Sequence, residues 1–197
     1  MSLPALETSF LLRDSRSALI RPARPEDYPS LMETLRAVAI DDRGVVRTEP
    51  EMPQTPEDIQ REFAKWQSDS SRTGARGCWF VALLPEGRVI GEADVRRMAP
   101  LRLRHVAHLG LSVHPEFQRL GVGRALMMAA IDWCTSGPGV ELGGISRIDL
   151  NVLADNDRAI AMYKSLGFEI EGRRRRFIRR EDGTEVDDLV MARLLND

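Results

Sequence analysis

Short apolar runs separated by turn residues recur along most of the chain, and they predict β-strands. Apolar segments that alternate or run continuously between Gly, Pro, Asn and Asp residues are typical of strands. Seven such runs occur: one begins at Ala18, and the others cover residues 78–84, 88–97, 104–113, 147–153, 168–180 and 185–195. Turn residues at 85–87 and 181–184 join consecutive runs, which predicts hairpins there.

Helical patterns interrupt these strands at four places. One helix follows the proline-containing turn after the first strand. A second begins at Thr55-Pro56-Glu57-Asp58, which offers a cap, a first-turn proline and acidic residues, and it runs to about Asp69. A third begins near Gly121 and closes at Trp133. The fourth covers 156–166 and is stopped by Gly167.

The resulting order, β-α-α-β-β-β-α-β-α-β-β, combines hairpins with a β-α-β unit. Hairpin strands pair antiparallel, and strands joined by a helical crossover pair parallel. We therefore predict an α/β fold with a mixed, mostly antiparallel central sheet of about seven strands and helices on both faces. Residues 1–17 show no clean periodicity and are interpreted as an N-terminal extension, so residues 18–197 form a single domain.

Composition narrows the setting of this domain. The 197 residues are 43% hydrophobic, with a formal net charge of −2. A core can form, and the near-neutral charge gives no global attraction to nucleic acid or anionic membranes. Cys78 and Cys134 lie in apolar runs and are expected to be buried free thiols. No bilayer-spanning stretch or signal peptide is evident, so we expect a cytoplasmic protein with no nucleic-acid or membrane partner.

Glycines mark the junction between the strand at 104–113 and the helix that follows it. Gln118, Gly121 and Gly123 form the pattern Q-x-x-G-x-G. A helix start offers N–H groups without partners and the positive end of a dipole, and glycines let a phosphate approach closely. Walker, Rossmann and nucleophile-elbow patterns are not matched in this segment. The pattern predicts a phosphate site; the alternative is a helix start whose glycines serve packing alone.

A second pattern further along the chain matches N-x-x-x-x-N-x-x-A-x-x-x-Y-x-x-x-G-F. Its matched positions are Asn151, Asn156, Ala159, Tyr163, Gly167 and Phe168. Together with Q-x-x-G-x-G, it resembles the two signatures of the GNAT family of N-acetyltransferases. The resemblance covers roughly Ala18 to Leu195. Within that family, the chain looks most like bacterial enzymes that acetylate the α-amino group of free amino acids.

The resemblance implies acetyl-coenzyme A (acetyl-CoA) as co-substrate. It places the thioester along the strand at 107–113, whose backbone N–H groups would form an oxyanion hole. It places the phosphates on the glycine loop and the pantetheine arm against two asparagines. The implied cofactor-binding residues are Leu111, Ser112, Val113, Gln118, Arg119, Leu120, Gly121, Val122, Gly123, Arg124, Asn151 and Asn156.

The reaction needs an acid and a base, and the sequence offers candidates for both. The resemblance assigns Tyr163 as the acid that protonates the leaving thiolate, although helical spacing alone also fits a core tyrosine. His108 is the candidate base, because an imidazole with a pKa near ~6.5 accepts a proton at neutral pH; the alternative is a histidine hydrogen-bonded within the sheet. Glu92 and Asp94 on the neighbouring strand are rivals as base or ligands for the substrate ammonium. No metal site is expected, since His105 and His108 point to opposite faces.

The sequence does not identify the amine that accepts the acetyl group. Neither motif contains a cysteine, which predicts direct attack in a ternary complex. A free amino acid is the first choice; a protein N-terminus or a polyamine is second. A polyamine would need an acidic pocket, for which the candidates are Asp41, Asp42, Glu49, Glu51 and Glu57.

Two further features leave alternatives. The arginines at 173–176, 179 and 180 either form a solvated hairpin or anchor a substrate carboxylate. The resemblance also allows a homodimer. The alternative from another class of protein is a non-catalytic module that binds or senses acetyl-CoA.

Overall fold

A computed structural model describes residues 7–41, 47–53, 55, 57–58, 61, 77–135 and 144–195. Within them one sheet contains eight strands: β1 (Thr8–Leu11), β2 (Ser17–Pro22), β3 (Gly77–Leu83), β4 (Val89–Arg97), β5 (Val106–Val113), β6 (Arg147–Leu153), β7 (Glu169–Arg179) and β8 (Glu185–Leu194). The strand order is β1-β2-β3-β4-β5-β6-β8-β7. Of these eight strands only β5 and β6 pair parallel, so the predicted mixed, mostly antiparallel sheet is confirmed.

The eighth strand is β1, which the sequence pattern did not predict. It pairs antiparallel with β2 from Thr8 opposite Ile20 to Leu11 opposite Ser17. The strand has four residues and lies at the sheet edge, with three of its residues exposed. Burial on one face is what produces alternation in a sequence, so an exposed edge strand leaves little pattern to detect. Part of the predicted N-terminal extension thus lies in the sheet.

Helices cover both faces of the sheet, as predicted. On one face α1 (Tyr28–Ile40) packs Leu31 and Met32 against Val81 and Leu83. On the other face α2 (Val122–Thr135) and α3 (Asp157–Ser165) contribute to the larger core cluster. No helix in the described parts of the chain is long and apolar enough to cross a membrane.

Local signals set the start of two helices. At α1, the carboxylate of Asp27 accepts two hydrogen bonds from Arg21 of β2, at 2.7 and 2.8 Å, which fixes the helix start against the sheet. At the predicted second helix, Thr55 and Asp58 exchange cap hydrogen bonds. Beyond residues 55, 57–58 and 61, that predicted helix lies outside the described residues.

A gap between β5 and β6 is the feature that creates a site. The parallel ladder has three pairs and ends at His108 opposite Asp149. Beyond that point β5 continues to Val113 and β6 to Leu153 without pairing to each other. Within the described part of the chain, the backbone groups of β5 on this edge therefore lack a strand partner and are open to a ligand.

Candidate active site

A cavity of about 730 Å³ opens where β5 and β6 diverge. That volume suits a cofactor-sized ligand. The three candidate catalytic residues, Glu92, His108 and Tyr163, all line it. So do ten of the twelve candidate cofactor residues: Leu111, Ser112, Val113, Gln118, Arg119, Gly121, Gly123, Arg124, Asn151 and Asn156.

The other two candidates, Leu120 and Val122, do not line the cavity. Both side chains pack with the core, and Val122 is almost fully buried. Only their backbone groups are left to face a ligand. The sequence pattern could not distinguish these apolar residues from the loop residues around them. Where a loop leads into an amphipathic helix, neighbouring side chains point to the core or away from it within a few positions.

The glycine loop has the backbone shape expected of an anion site. Gly121 has a φ of +97°, which favours glycine, and a Cβ there would meet no atom within 4 Å. Helix α2 begins directly after it, and the first α-helical bond runs from Ala125 N to Gly121 O at 3.1 Å. The preceding N–H groups of α2 have no intrahelical acceptor and lie at the positive end of the helix dipole. The site therefore suits a phosphate.

Four arginines, Arg13, Arg119, Arg124 and Arg158, line this same cavity. The Arg124 guanidinium donates to Ser165 Oγ at 2.8 Å, and the Arg158 guanidinium donates to Gln118 Oε1 at 2.6 Å. These acceptors are neutral, so they hold the side chains in place without cancelling their charge. Within the described residues, none of the four forms an ion pair with a carboxylate.

The carboxyl group of Glu92, which lines the cavity, has a raised pKa. It lies on β4 opposite Ser112 of β5, is buried, and accepts a hydrogen bond from Trp79 Nε1 at 2.7 Å. Burial and the nearby negative charge of Asp94 raise the pKa of Glu92 to about 7, against weaker opposing hydrogen bonds from Ser112 and Trp79. A carboxyl group with this pKa can accept and release a proton at neutral pH.

Asp94 is held next to Glu92 by the shape of β5. It lies opposite Gly110, and a Cβ at Gly110 would stand only 2.2 Å from Asp94 Oδ1. Arg96 Nε lies 2.9 Å from Asp94 Oδ2, and among the described residues this buried oxygen has no hydrogen-bond partner. The glycine therefore creates the space that lets a second carboxylate lie beside Glu92.

Tyr163 enters the cavity from α3. The residue is 6% exposed and its ring lies 6.0 Å from the Phe168 ring, so Tyr163 both packs in the core and lines the cavity. Burial and the charge of Glu92 raise the pKa of Tyr163 to about 12. The phenol therefore stays protonated at neutral pH, as a proton donor must.

His108 has a hydrogen-bond partner, Asp149, that the sequence pattern did not predict. Its Nδ1 lies 2.9 Å from Asp149 Oδ1, across the last pair of the β5–β6 ladder. An acceptor at Nδ1 favours the tautomer in which Nε2 is free to accept a proton. The alternation of 147–153 does place Asp149 on the same face as Asn151, but only the register of the parallel strands brings it to His108.

The two asparagines that line the cavity make different contacts. Asn151 is exposed on β6 and lines the cavity. Asn156 also lines it, yet its Oδ1 accepts a hydrogen bond from Ala159 N at 3.2 Å and so caps α3. Capping is a structural role that Asn fills in many helices. Asn156 thus sets the start of the helix that carries Tyr163.

The arginine run lies outside the cavity and is largely paired within its own hairpin. Arg173 pairs with Asp187, Arg174 with Asp188, Arg180 with Asp155, and both Arg176 and Arg179 with Glu185. None of these arginines lines the cavity. This arrangement favours the solvated-hairpin interpretation over an anchor for a substrate carboxylate.

The acidic residues considered for a polyamine pocket do not form one cluster in the described residues. Asp41, at the end of α1, lines the cavity, whereas Glu49, Glu51 and Glu57 do not. The Glu51 carboxylate instead accepts hydrogen bonds from Thr48. Asp42 lies outside the described residues.

Comparison with known proteins identifies the family. The acetyltransferase (GNAT) family matches the chain over residues 34–168, which is more than half of its length. The chain belongs to this family, and the resemblance drawn from the two sequence signatures is confirmed.

Curated relatives match over shorter segments. The L-amino acid N-acetyltransferase AaaT of Escherichia coli K12 is 37% identical over 109 residues, which is 55% of this chain and 64% of that protein. The ribosomal protein bS18-alanine N-acetyltransferase of the same strain is 40% identical over 82 residues, 42% of this chain and 51% of that protein. The matched segments thus span less than two thirds of either relative.

Solved structures share the fold over most of the chain. An acetyltransferase of the GNAT family from Streptococcus pneumoniae superposes with a TM-score of 0.76 at 26% identity, covering 90% of this chain and 99% of that one. A phosphinothricin acetyltransferase from Sinorhizobium meliloti, in complex with acetyl-CoA, gives 0.73 at 24% identity, covering 90% and 88%. At that identity the second likeness shows the fold alone.

Proposed function

We propose that this protein transfers an acetyl group from acetyl-CoA to a primary amine by direct attack in a ternary complex. The observation that carries the proposal is a single cavity that joins a phosphate-binding loop to a buried carboxyl group and a buried phenol. Membership of the acetyltransferase family supports it.

The cavity residues fit the parts of acetyl-CoA. The start of α2, Gly121 and the four cavity arginines suit its phosphates. The unpaired edge of β5 suits the amide groups of the pantetheine arm, with Asn151 facing it across the gap. When bound there, acetyl-CoA supplies an activated thioester. The backbone N–H groups at 111–113 would stabilise the developing oxyanion.

Glu92 is the base that the site favours. An attacking amine must be neutral, and an α-amino group has a pKa of about 7.7–8.0. A carboxylate with a pKa of about 7 can accept that proton at neutral pH. His108, oriented by Asp149, is the second candidate base, because His108 lines the same cavity as Glu92.

Tyr163 acts as the acid in this proposal. It stays protonated up to high pH, and it lies close enough to Glu92 for the carboxylate charge to raise the pKa of the phenol. Its phenol would donate a proton to the thiolate as the C–S bond breaks. Neither cysteine lines the cavity; both are buried, and burial raises both thiol pKa values to about 12, which supports direct attack over an acyl-cysteine intermediate.

A free amino acid is the first-choice acceptor, and a protein N-terminus or polyamine is second. The two curated relatives, one named for L-amino acids and one for a ribosomal alanine, support an α-amino group in either setting. Asp41, Glu92 and Asp94 would face the substrate ammonium. A cytoplasmic location and a homodimer remain part of this proposal.

Thiol release from acetyl-CoA tests the function directly. The acceptor panel would contain the twenty amino acids, their amides, short peptides and polyamines, with the Tyr163→Phe variant beside the wild type. Turnover with a defined set of α-amines supports the proposal. Tight acetyl-CoA binding without turnover on any acceptor would contradict it and favour the non-catalytic binding module.

A further inference from the structure

The turn between β1 and β2 lies against the glycine loop. Arg13 N donates to Leu120 O at 3.1 Å, which ties the turn to the loop by a main-chain hydrogen bond. The neighbouring Leu12 is 3% exposed and belongs to the main core cluster. This turn is therefore docked on the domain at the place where the phosphates would bind.

Internal contacts make the turn a fixed structure. Leu12 N donates to Arg16 O at 2.8 Å, and Ser15 N donates to Leu12 O at 2.9 Å. The Asp14 carboxylate accepts three hydrogen bonds from Arg16, one of them from its backbone. The Arg16 guanidinium in turn lies 4.8 Å from the centroid of the Phe117 ring, which is buried in the loop.

Arg13 lines the cavity together with Arg119, Gly121 and Arg124. Among the described residues it has no carboxylate partner, in contrast to its neighbour Arg16. Arg13 also lies outside the segment that matches the family, which begins at residue 34.

We propose that Arg13 is a phosphate ligand for acetyl-CoA, so that the N-terminal hairpin forms part of the cofactor site. This inference rests on the proposed function for the identity of the ligand. A phosphomonoester carries a charge of about −1.5 to −2, and the coenzyme adds a diphosphate. The other three cavity arginines and the α2 N-terminus match part of that charge, and Arg13 supplies a further fork of donors to it.

The test measures ligand affinity by calorimetry, apart from turnover. The ligands are coenzyme A, dephospho-coenzyme A and S-acetylpantetheine, which has no diphosphate. The variants are Arg13→Ala and, as a matched control, Arg24→Ala, which removes an exposed arginine paired with Glu7 in the same segment and not lining the cavity. Unchanged thermal unfolding would show that each variant is folded.

We expect Arg13→Ala to bind coenzyme A about tenfold more weakly, and Arg24→Ala to bind it like the wild type. S-acetylpantetheine should bind equally to all three proteins. If Arg13→Ala also weakens binding of dephospho-coenzyme A, Arg13 contacts the diphosphate. If that ligand binds both proteins equally, Arg13 contacts the 3′-phosphate.

Equal affinity of Arg13→Ala and the wild type for coenzyme A would overturn the inference. An equal loss with S-acetylpantetheine would also overturn it, because the residue would then act on the site through the fold. Wild-type binding without turnover would contradict the proposed function only, since the affinity comparison still decides the role of Arg13.

Discussion

Individual side chains in this site have environments that fit opposite tasks. Glu92 and Tyr163 are both buried, and burial raises the pKa of each. The charge of Asp94 raises the pKa of Glu92 further, and the charge of Glu92 raises that of Tyr163 further. The carboxyl group of Glu92 thus has a pKa of about 7, which suits a base. The phenol of Tyr163 has a pKa of about 12, so it keeps its proton at neutral pH. Environments that separate two titrating groups are a recurring way to assign acid and base.

Replacement of Tyr163 by Phe tests the acid. The ring still packs near Phe168, so the fold and the KM for acetyl-CoA should hardly change. We expect kcat to fall by about 10²-fold or more, because the thiolate would leave without a proton donor. Steady-state kinetics measures this. An unchanged kcat at every pH would show that the tyrosine is a core residue only.

The pH dependence of kcat, measured with saturating acceptor, tests the base, because kcat reports the ionisation of groups in the substrate complex. Glu92 must be ionised to accept a proton, so activity should be lost as the pH falls through about 7. In Glu92→Gln this loss of activity at acidic pH (the acidic limb) should disappear, and the rate should fall by about 10²-fold. His108→Gln is the matched variant. If the limb survives in Glu92→Gln and disappears in His108→Gln, the imidazole is the base.

The stability of Glu92→Gln gives an independent check. The pKa of Glu92 is raised above its usual 4.5, so the folded state binds the proton more tightly than the unfolded state does. The stabilisation from the protonated form is complete below about 4.5 and is lost as the pH rises through about 7. We therefore expect Glu92→Gln to unfold at a higher temperature than the wild type at pH 8, with a smaller difference at pH 5. A constant difference across this range would mean that Glu92 does not titrate there.

At the scale of elements, strands and helices with a strong period were predictable from the sequence. All seven predicted strands are present, because half-buried strands and amphipathic helices impose their period on the residues. The exposed edge strand β1 has no such constraint. Asp149 beside His108 and Arg13 beside Leu120 were not predicted, because register and docking bring together residues that are distant in the chain.

The glycine loop provides the prediction at this scale. Gly121→Ala places a Cβ at a φ of +97°, and Gly87→Ala does the same at +86° in a turn outside the cavity. Each should cost about 1–2 kcal/mol of unfolding free energy, because the left-handed region disfavours a side chain. Only Gly121→Ala should also weaken acetyl-CoA binding. Equal binding by both variants would mean that the loop shape is not needed for the ligand.

On the scale of the whole molecule, net charge and local charge point in different directions. The chain carries a formal charge of −2, which alone would slightly repel an anionic co-substrate. Arg13, Arg119, Arg124 and Arg158 nevertheless come from three separate parts of the fold and line one cavity. The family segment and the N-terminal hairpin thus bring four arginines to one cavity, a local concentration of positive charge that composition could not predict.

Ionic strength should reveal this local field. The Debye length shortens from about 10 Å at 0.1 M salt to about 3 Å at 1 M, so attraction between the arginines and the phosphates is screened. We expect the KM for acetyl-CoA to rise severalfold over that range, while kcat changes little because Glu92 and Tyr163 are buried. The KM for S-acetylpantetheine, which lacks the diphosphate, should stay nearly constant and serves as the control. A parallel rise for both thioesters would show that salt acts on the fold or the acceptor, and the arginines would then have no special role in attracting the phosphates.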